Sequence, residues 1–271
     1  MPARPLPRAF LLFAVLLVAS SSAFAQAAQA GAQTFEPTVG QAGKDVVWVP
    51  TPQELVERML DMAKVTPQDF LMDLGSGDGR TVITAARRGL RAQGVEYNPQ
   101  MVELAKRNAS AAGVTERATF VQADLFETDF SKAQVITMFL LPSINLRLRP
   151  KLLDMAPGTR IVSNTFTMSE WESDESSTID GDCTSWCTAH LWIVPAKVAG
   201  TWQTDKGALV LTQEFQRITG TLGSTPITDG RLSGTEITFL VGETRYAGRI
   251  DGSRMRGTID GGGGNWTATR D

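Results

Sequence analysis

The sequence predicts two structural parts, a doubly wound α/β sheet followed by a small all-β barrel or sandwich. Two observations predict the sheet: an apolar segment leads into a glycine-rich turn at residues 70–80, and strand-like and helix-like segments then alternate to about residue 195. A third observation predicts the all-β part. From Val198 onward, eight short segments of alternating polarity are separated by Gly, Asp and Ser turns.

The glycine-rich turn indicates a nucleotide-type ligand. The apolar strand ends near Asp73, and Gly75, Gly77 and Gly79 would let backbone N–H groups approach a ligand with no Cβ in the way. The third glycine comes one residue too early for a dinucleotide fingerprint, so the pattern argues against NAD. A carboxylate at Asp73 also attracts a cationic ammonium group and repels phosphates.

Two more strands are predicted to end in acidic residues. The strand at residues 90–96 ends in Glu96, which lies 19 residues past Gly77, about where an acid accepts hydrogen bonds from ribose hydroxyls. The strand at residues 118–125 ends around Asp124, which is placed to meet the edge of an adenine ring. Together with the glycine turn, these acids indicate a nucleoside-type ligand that carries a positive charge.

This set of motifs resembles the class I S-adenosylmethionine-dependent methyltransferases. The resemblance can be narrowed by the segments at residues 49–52, 95–99, 137–142 and 160–166. They resemble the small lysine methyltransferase family that includes the mitochondrial enzymes acting on the ATP synthase c-subunit and the adenine nucleotide translocase. This family is itself akin to the Dot1-type histone methyltransferases. The resemblance covers roughly residues 46–172 and implies a seven-stranded Rossmann-like sheet with S-adenosylmethionine as cofactor. The cofactor-binding residues that it implies are Thr51, Asp73, Gly75, Ser76, Gly77, Asp78, Glu96, Asp124 and Leu125, with residues 50–52 closing over the cofactor.

Methyl transfer needs little protein chemistry, because it is a displacement at a sulfonium methyl that depends on proximity and alignment. A lysine acceptor must be a neutral amine, and an apolar channel favours that form. The predicted acceptor-side residues are Phe139, Ser163, Asn164 and Phe166, with Leu140 and Trp171 as further channel candidates. Ser163 or Asn164 would orient the amine, whereas Phe139 and Phe166 fit a plain core role equally well.

Four other polar or sulfur-containing residues have structural alternatives. Thr51 can begin a helix as part of a capping box with Glu54, without contacting a ligand. Cys183 and Cys187 are predicted to form a disulfide, with free thiols as the alternative. No metal site is predicted, because zinc would need four ligands and His190 is the only histidine. We expect His190 to be structural rather than a catalytic base.

Residues 1–25 predict a secretory signal peptide. Arg4 and Arg8 precede an apolar segment and an A-x-A cleavage site at residues 23–25. An uncleaved anchor is the alternative, although a membrane span needs about 20 apolar residues. We therefore predict an exported, periplasmic protein with no stable membrane span after cleavage. The predicted domains are the signal peptide at 1–25, a flexible leader at 26–45, a methyltransferase domain at 46–196 and a β-rich domain at 197–271.

The charge weighs against a nucleic-acid substrate. The chain has 29 acidic and 26 basic residues, a net charge of −3, and loss of Arg4 and Arg8 with the signal leaves 24 basic residues and a net charge of −5. Such a chain lacks the positive field of a nucleic-acid-binding protein. The expected acceptor is therefore a protein or a small molecule. The alternative is a non-catalytic envelope binding or structural protein, because S-adenosylmethionine is made in the cytosol.

The β-rich part resembles the lipocalin-type β modules that are appended to exported bacterial proteins. In such a module Trp202 and Trp266 are expected to be core residues, and the module itself is a candidate for recruiting a substrate or partner.

Overall fold

The computed structural model describes residues 1–2, 35–181 and 183–270. The predicted signal peptide beyond its first two residues and the leader up to residue 34 lie outside the described residues. Residues 37–271 form one compact unit, to which the following description applies. Within the described ranges, no helix combines the length and the apolar character that crossing a membrane requires.

The predicted seven-stranded sheet is present. Its strands are β1 (Phe70–Leu74), β2 (Arg91–Glu96), β3 (Ala118–Gln122), β4 (Val135–Met138), β5 (Arg160–Asn164), β6 (Glu175–Thr178) and β7 (Thr188–Ile193). The spatial order is β3-β2-β1-β4-β5-β7-β6. The first five strands are parallel to one another, whereas β7 is antiparallel to both β5 and β6. The chain order reverses between β1 and β4, which is where ligands bind on such sheets.

Helices cover both faces of this sheet. They are α1 (Gln53–Met62), α2 (Arg80–Arg87), α3 (Pro99–Ala111) and α4 (Pro142–Leu153). Apolar residues of α1, α2 and α3 share one hydrophobic core with one face of the sheet, and those of α4 share a second core with the other face. The central strand β4 is fully buried, as its continuous apolar sequence requires.

The predicted helix starts are partly right. Asn98 caps α3 by accepting a hydrogen bond from the Gln100 N–H, with proline at the first helical position. The capping box proposed for Thr51 is wrong. Pro52, with an extended ψ of 138°, is the cap residue of α1 and no side chain caps the helix, so Thr51 lies one residue too early. Its hydroxyl instead accepts a 3.3 Å hydrogen bond from the Asn164 side chain.

Part of the predicted flexible leader has a defined course. The Gly40 N–H donates to the Trp48 carbonyl at 2.9 Å, and the Trp48 N–H donates to the Gln41 carbonyl at 2.8 Å. These bonds fold residues 40–48 into a narrow antiparallel turn. The turn also contacts the sheet domain through the ion pair between Lys44 and Asp124, and composition alone predicts neither kind of contact.

The predicted all-β part is a closed eight-stranded antiparallel barrel, not a sandwich. Its strands are β8 (Gly200–Thr204), β9 (Gly207–Glu214), β10 (Arg217–Leu222), β11 (Thr225–Ser233), β12 (Glu236–Val241), β13 (Thr244–Asp251), β14 (Arg254–Ile259) and β15 (Gly264–Thr269). Trp202 and Trp266 are buried in its core, as expected. Side chains fill the lumen, leaving a cavity of about 10 Å³ at one end. That is barely the space of one water molecule, so the lumen has no room for a small-molecule ligand.

The barrel packs against the segment that follows β5. The Phe215 ring stacks on Trp171 with centroids 6.1 Å apart, and the Gln216 side chain donates to the Glu172 carbonyl at 2.7 Å. Arg231 forms a 2.7 Å ion pair with Asp174. The linker also contacts the barrel, because the Ala196 N–H donates a hydrogen bond to the Gly234 carbonyl. Contacts between the sheet domain and the barrel are therefore not confined to the linker.

Candidate active site

A cavity of about 570 Å³ opens at the carboxyl ends of the parallel strands. This is the position at which doubly wound sheets bind ligands. The cavity is lined by all nine residues that the sequence assigned to the cofactor: Thr51, Asp73, Gly75, Ser76, Gly77, Asp78, Glu96, Asp124 and Leu125. Two of the four predicted acceptor-side residues, Phe139 and Phe166, also line it.

The turn between β1 and α2 requires its glycines. Gly75, Gly77 and Gly79 have φ values of +77°, +53° and +83°, a left-handed conformation that favours glycine. A Cβ on Gly79 would lie 2.7 Å from the Phe120 ring, and one on Gly77 would lie 2.7 Å from the Trp48 indole nitrogen. The turn therefore brings bare backbone to the cavity wall.

Glu96 at the end of β2 is held in one orientation by the backbone. The Gly77 N–H donates to one carboxylate oxygen at 3.0 Å, and the Asn98 N–H donates to the other at 2.9 Å. A carboxylate has about four acceptor positions, so two are used here and the others remain for a ligand. The arrangement suits a ligand with two neighbouring hydroxyl groups.

Asp73 is a buried acid on the cavity wall. Its neighbour on β4, Thr137, donates a 2.7 Å hydrogen bond to it. Burial, together with the nearby Asp78 and Glu96 charges, raises the pKa of Asp73 to about 7, and the Thr137 hydrogen bond opposes the change. A cation bound next to Asp73 would favour its ionised form.

Arg80 occupies the position at which a dinucleotide fingerprint has its third glycine. Its guanidinium pairs with Asp78 at 2.7 Å and donates to the Thr51 carbonyl at 2.9 Å. Asp78 is thus neutralised within the protein. The same arginine ties the glycine turn to the segment that enters α1.

Asp124 is paired with a lysine from the turn at residues 40–48. The Lys44 ammonium lies 2.6 Å from the Asp124 carboxylate and 4.4 Å from the centre of the Tyr97 ring. The Lys44 hydrogen bond holds the pKa of Asp124 below its usual value. Asp124 itself lies just beyond β3, which ends at Gln122, two residues earlier than predicted.

These groups fit S-adenosylmethionine. Glu96 offers free acceptor positions for ribose hydroxyls, and Asp73 offers a carboxylate for the methionine ammonium group. The Ser76 hydroxyl is buried without a hydrogen-bond partner among the described residues, as expected of a group that a ligand satisfies. When bound, the cofactor supplies the activated methyl group, while the protein orients it.

On the acceptor side the structure separates the four predicted residues. Ser163 and Asn164 are fully buried and do not line the cavity, so they do not fit a direct role in orienting the amine. Ser163 donates to the Phe166 carbonyl at 2.7 Å, and Asn164 donates to Thr51. Both residues end β5 with side chains directed into the fold, where they fix the loop that carries Phe166.

Of the two further channel candidates, Leu140 and Trp171, only one lines the cavity. Leu140 lines the cavity, as predicted. Trp171 does not, because it is fully buried against Trp192 and the barrel residue Phe215. It is a core residue that links the sheet domain to the barrel.

The cavity lining also includes residues that the sequence analysis did not assign to the site, among them Lys44, Trp48, Tyr97 and Trp186. Tyr97 follows Glu96 directly, and Trp48 comes two residues before the predicted closing segment, so proximity along the chain was an available signal for both. Lys44 and Trp186 carried no such signal. They reach the cavity from a folded-back turn and from the β6–β7 loop.

The remaining predictions on this region concern cysteine, histidine and metal. The Cys183–Cys187 disulfide is present and closes the β6–β7 loop. His190 bonds to the Ser176 hydroxyl at 2.7 Å and to the Thr165 carbonyl at 3.2 Å, and burial lowers its pKa. It does not line the cavity. Among residues 35–181 and 183–270, no cluster of His, Cys, Asp and Glu has the arrangement of a metal site.

Comparison with known proteins shows which proteins this chain resembles. The model of the ANTKMT methyltransferase domain matches residues 73–175. A protein-lysine N-methyltransferase of Saccharolobus islandicus is 43% identical over 153 residues, which are 55% of this chain and 94% of that protein. A crystal structure described as an RNA methyltransferase from Salinibacter ruber, in complex with S-adenosyl-L-homocysteine, aligns with a TM-score of 0.52 and 46% identity, over 55% of this chain and 96% of that one.

Animal relatives match more distantly. The mouse lysine N-methyltransferase of the ATP synthase c-subunit is 34% identical over 140 residues, and the mouse adenine nucleotide translocase lysine N-methyltransferase is 37% identical over 119 residues. The chain spans about half the length of each of these two enzymes, at 56% and 52%. The match to the Saccharolobus enzyme covers 94% of that enzyme's length. The chain therefore belongs to the ANTKMT-type methyltransferase family and is an S-adenosylmethionine-dependent methyltransferase.

Proposed function

We propose that this protein is an exported enzyme that transfers methyl groups to the side-chain amine of lysine in a protein of the bacterial envelope. The observation that carries the lysine assignment is the 43% identity to a protein-lysine N-methyltransferase over 94% of that enzyme's length. The matched residues make up 55% of this chain.

The chemistry of the cavity supports an amine acceptor. Phe139, Leu140 and Phe166 line the cavity beyond the glycine turn, and an apolar surface of this kind favours the neutral amine that the reaction requires. Among the described residues, the only histidine lies outside the cavity. Catalysis rests on alignment of the neutral amine with the methyl group.

Export is supported by two features of different kinds. The first is the signal-like pattern of residues 1–25, and the second is a disulfide, which persists in oxidising compartments and is rare in the cytosol. Both point to the periplasm. An external supply of S-adenosylmethionine is then a requirement of the proposal.

The test combines activity with localisation. The mature protein, purified from periplasm, is incubated with S-adenosylmethionine labelled in the methyl group and with envelope and cytosolic protein fractions of the producing cell. We expect label in a protein of the envelope fraction, released as methylated lysine on acid hydrolysis. Purified material should begin near residue 26 if the signal is cleaved.

Other acceptors give different outcomes. Label in RNA rather than in protein would favour the activity named for the Salinibacter structure, against which the net negative charge of this chain weighs. Label in small molecules alone would replace the lysine assignment. Failure to bind S-adenosylmethionine at millimolar concentration would favour the non-catalytic alternative.

A further inference from the structure

The β6–β7 loop carries a tryptophan that packs on the acceptor side of the cavity. The Trp186 ring centre lies 5.7 Å from that of Phe139 and 5.4 Å from that of Phe166, while the two phenylalanine rings are 6.1 Å apart. All three side chains line the cavity. We call these three residues the aromatic triad.

Trp186 differs from the tryptophans that build the cores. Trp171, Trp192 and Trp202 are 0% exposed, whereas Trp186 is 40% exposed. The contacts of Trp186 with Phe139 and Phe166 therefore bury only part of its large apolar ring. A folding role alone does not explain why so much of the ring remains open to the cavity and solvent.

The loop holds Trp186 in an unusual backbone conformation. Its φ of +63° lies in the left-handed region, which non-glycine residues rarely adopt. The disulfide between Cys183 and Cys187 closes the loop around it, and the Cys187 carbonyl accepts a 3.0 Å hydrogen bond from Ile179. Unusual backbone of this kind persists where the surroundings fix it, and it concentrates at ligand sites.

Three aromatic rings facing one cavity suit an alkylammonium group. As the neutral lysine nitrogen attacks the methyl carbon, its lone pair forms the N–C bond and the C–S electron pair passes to sulfur, leaving a neutral thioether. The nitrogen becomes a methylated ammonium, which then gives up an N–H proton to water. Ring faces attract this developing positive charge, and they also pack against the methylene chain of lysine.

We propose that Trp186 is a specificity-determining residue of the methyl-acceptor site, at which the aromatic triad binds the methylated ammonium end of lysine. This inference rests on the proposed amine methylation, and it adds the residue and the ligand class. The disulfide acts through Trp186, because it fixes the loop that presents the ring. Reduction should therefore weaken acceptor binding and leave the cofactor half of the cavity unchanged.

Binding is tested first, without turnover. The probe is Nα-acetyl-Nε-trimethyl-lysine amide, with Nα-acetyl-norleucine amide as the uncharged control, measured by ligand-observed NMR in the presence of S-adenosylhomocysteine. We expect the wild-type protein to bind the charged probe and Trp186→Ala to bind it roughly 3- to 30-fold more weakly, the range of a desolvated cation–π contact. Trp186→Phe, which retains a ring, should keep most of the affinity.

Kinetics provides the second readout, with poly-L-lysine as acceptor. Trp186→Ala and the double variant Cys183→Ser/Cys187→Ser should raise KM for poly-L-lysine, while the Kd for S-adenosylmethionine stays within about twofold. Val210→Ala, at an exposed apolar position on the barrel, is the matched control and should change neither.

The outcomes separate this inference from the proposed function. A wild-type enzyme that methylates lysine while Trp186→Ala retains normal KM and normal probe binding overturns the inference and leaves the function standing. A wild-type protein that neither methylates poly-L-lysine nor binds the charged probe overturns both. A variant that loses S-adenosylmethionine affinity as well would place Trp186 in the general structure of the cavity, which also overturns the inference.

Discussion

The two halves of the cavity are built in different ways. The cofactor half consists of a glycine turn and of acids at or close to strand ends, and backbone N–H groups hold its central carboxylate, Glu96. The acceptor half consists of aromatic rings from separate loops, held by contacts such as the 3.1 Å hydrogen bond from Asn145 to the Phe166 carbonyl, 21 residues away. Changes in the first half should therefore alter cofactor affinity, and changes in the second should alter acceptor use.

The largest expected effect is in the cofactor half. Glu96→Ala removes the carboxylate that offers its free acceptor positions to the cavity, and charge-assisted hydrogen bonds contribute about 1.5–3 kcal/mol. We expect the Kd for S-adenosylmethionine, measured by calorimetry, to rise roughly 10- to 100-fold.

The matched control is Glu103→Ala, which removes an exposed acid on α3 that pairs with Lys106 across one helical turn. It should leave Kd unchanged. Thermal melting checks that Glu96→Ala remains folded, because Glu96 also accepts two backbone hydrogen bonds. A folded Glu96→Ala protein with wild-type affinity would remove Glu96 from the cofactor site.

The same contrast explains what the sequence could predict. The cofactor residues follow from local rules, since an acid at a strand end and a glycine with positive φ are recognisable from their neighbours alone. All nine of them line the cavity. The parallel sheet and the barrel follow from apolar periodicity in the same way.

The acceptor side does not follow from local rules. Ser163 and Asn164 have suitable chemistry, but the fold buries both faces of β5, so that neither of these consecutive side chains reaches the cavity. Lys44 and Trp186 reach the cavity only through tertiary contacts. The barrel interface at Trp171 is equally invisible in a sequence, because it depends on where Phe215 is placed 44 residues later.

The second prediction uses that interface. Phe215→Ala removes the ring stacked on Trp171, and because this ring is half-buried the free energy of unfolding should fall by about 1–3 kcal/mol, less than for a fully buried phenylalanine. The loop between Phe166 and Trp171 should loosen as a result. We expect a higher KM for a lysine acceptor, with S-adenosylmethionine Kd within about twofold.

Denaturant unfolding and steady-state kinetics measure the two effects. Val210→Ala, on the exposed face of the same barrel, is the control for an apolar-to-alanine substitution that leaves the contact between Phe215 and Trp171 in place. If Phe215→Ala lowers cofactor affinity and acceptor use equally, the two halves of the cavity are not independent in the way the contacts suggest.

The third prediction concerns pH. Burial raises the pKa of Asp73 to about 7, so Asp73 contributes to stability most fully below its unfolded pKa of about 3.8 and loses that contribution as pH rises through about 7. Cofactor binding has the opposite dependence, because a bound ammonium needs the ionised carboxylate. We expect Kd for S-adenosylmethionine to weaken about tenfold per pH unit below pH 7 and to level off above it.

Calorimetry between pH 6 and 8 measures this directly and avoids the separate titration of the lysine acceptor. Asp73→Asn can still accept the Thr137 hydrogen bond but cannot ionise, so its weaker binding should not vary with pH over this range. A pH-independent wild-type Kd would contradict an ammonium contact at Asp73.

The smallest expected effect is at Lys44, which crosses from the folded-back turn to the cofactor half. Its ammonium occupies one Asp124 oxygen, and both side chains are partly exposed, so the pair is weak and screened by salt. Lys44→Ala frees Asp124 to accept from an adenine amino group and removes a positive charge that repels a cationic cofactor. We expect S-adenosylmethionine to bind more tightly, by less than about fivefold, with the gain shrinking at high salt.

Lys106→Ala, at the exposed pair on α3, should have no effect. Weaker binding in Lys44→Ala would instead mean that Lys44 contacts the cofactor itself, and that the turn at residues 40–48 belongs to the binding surface.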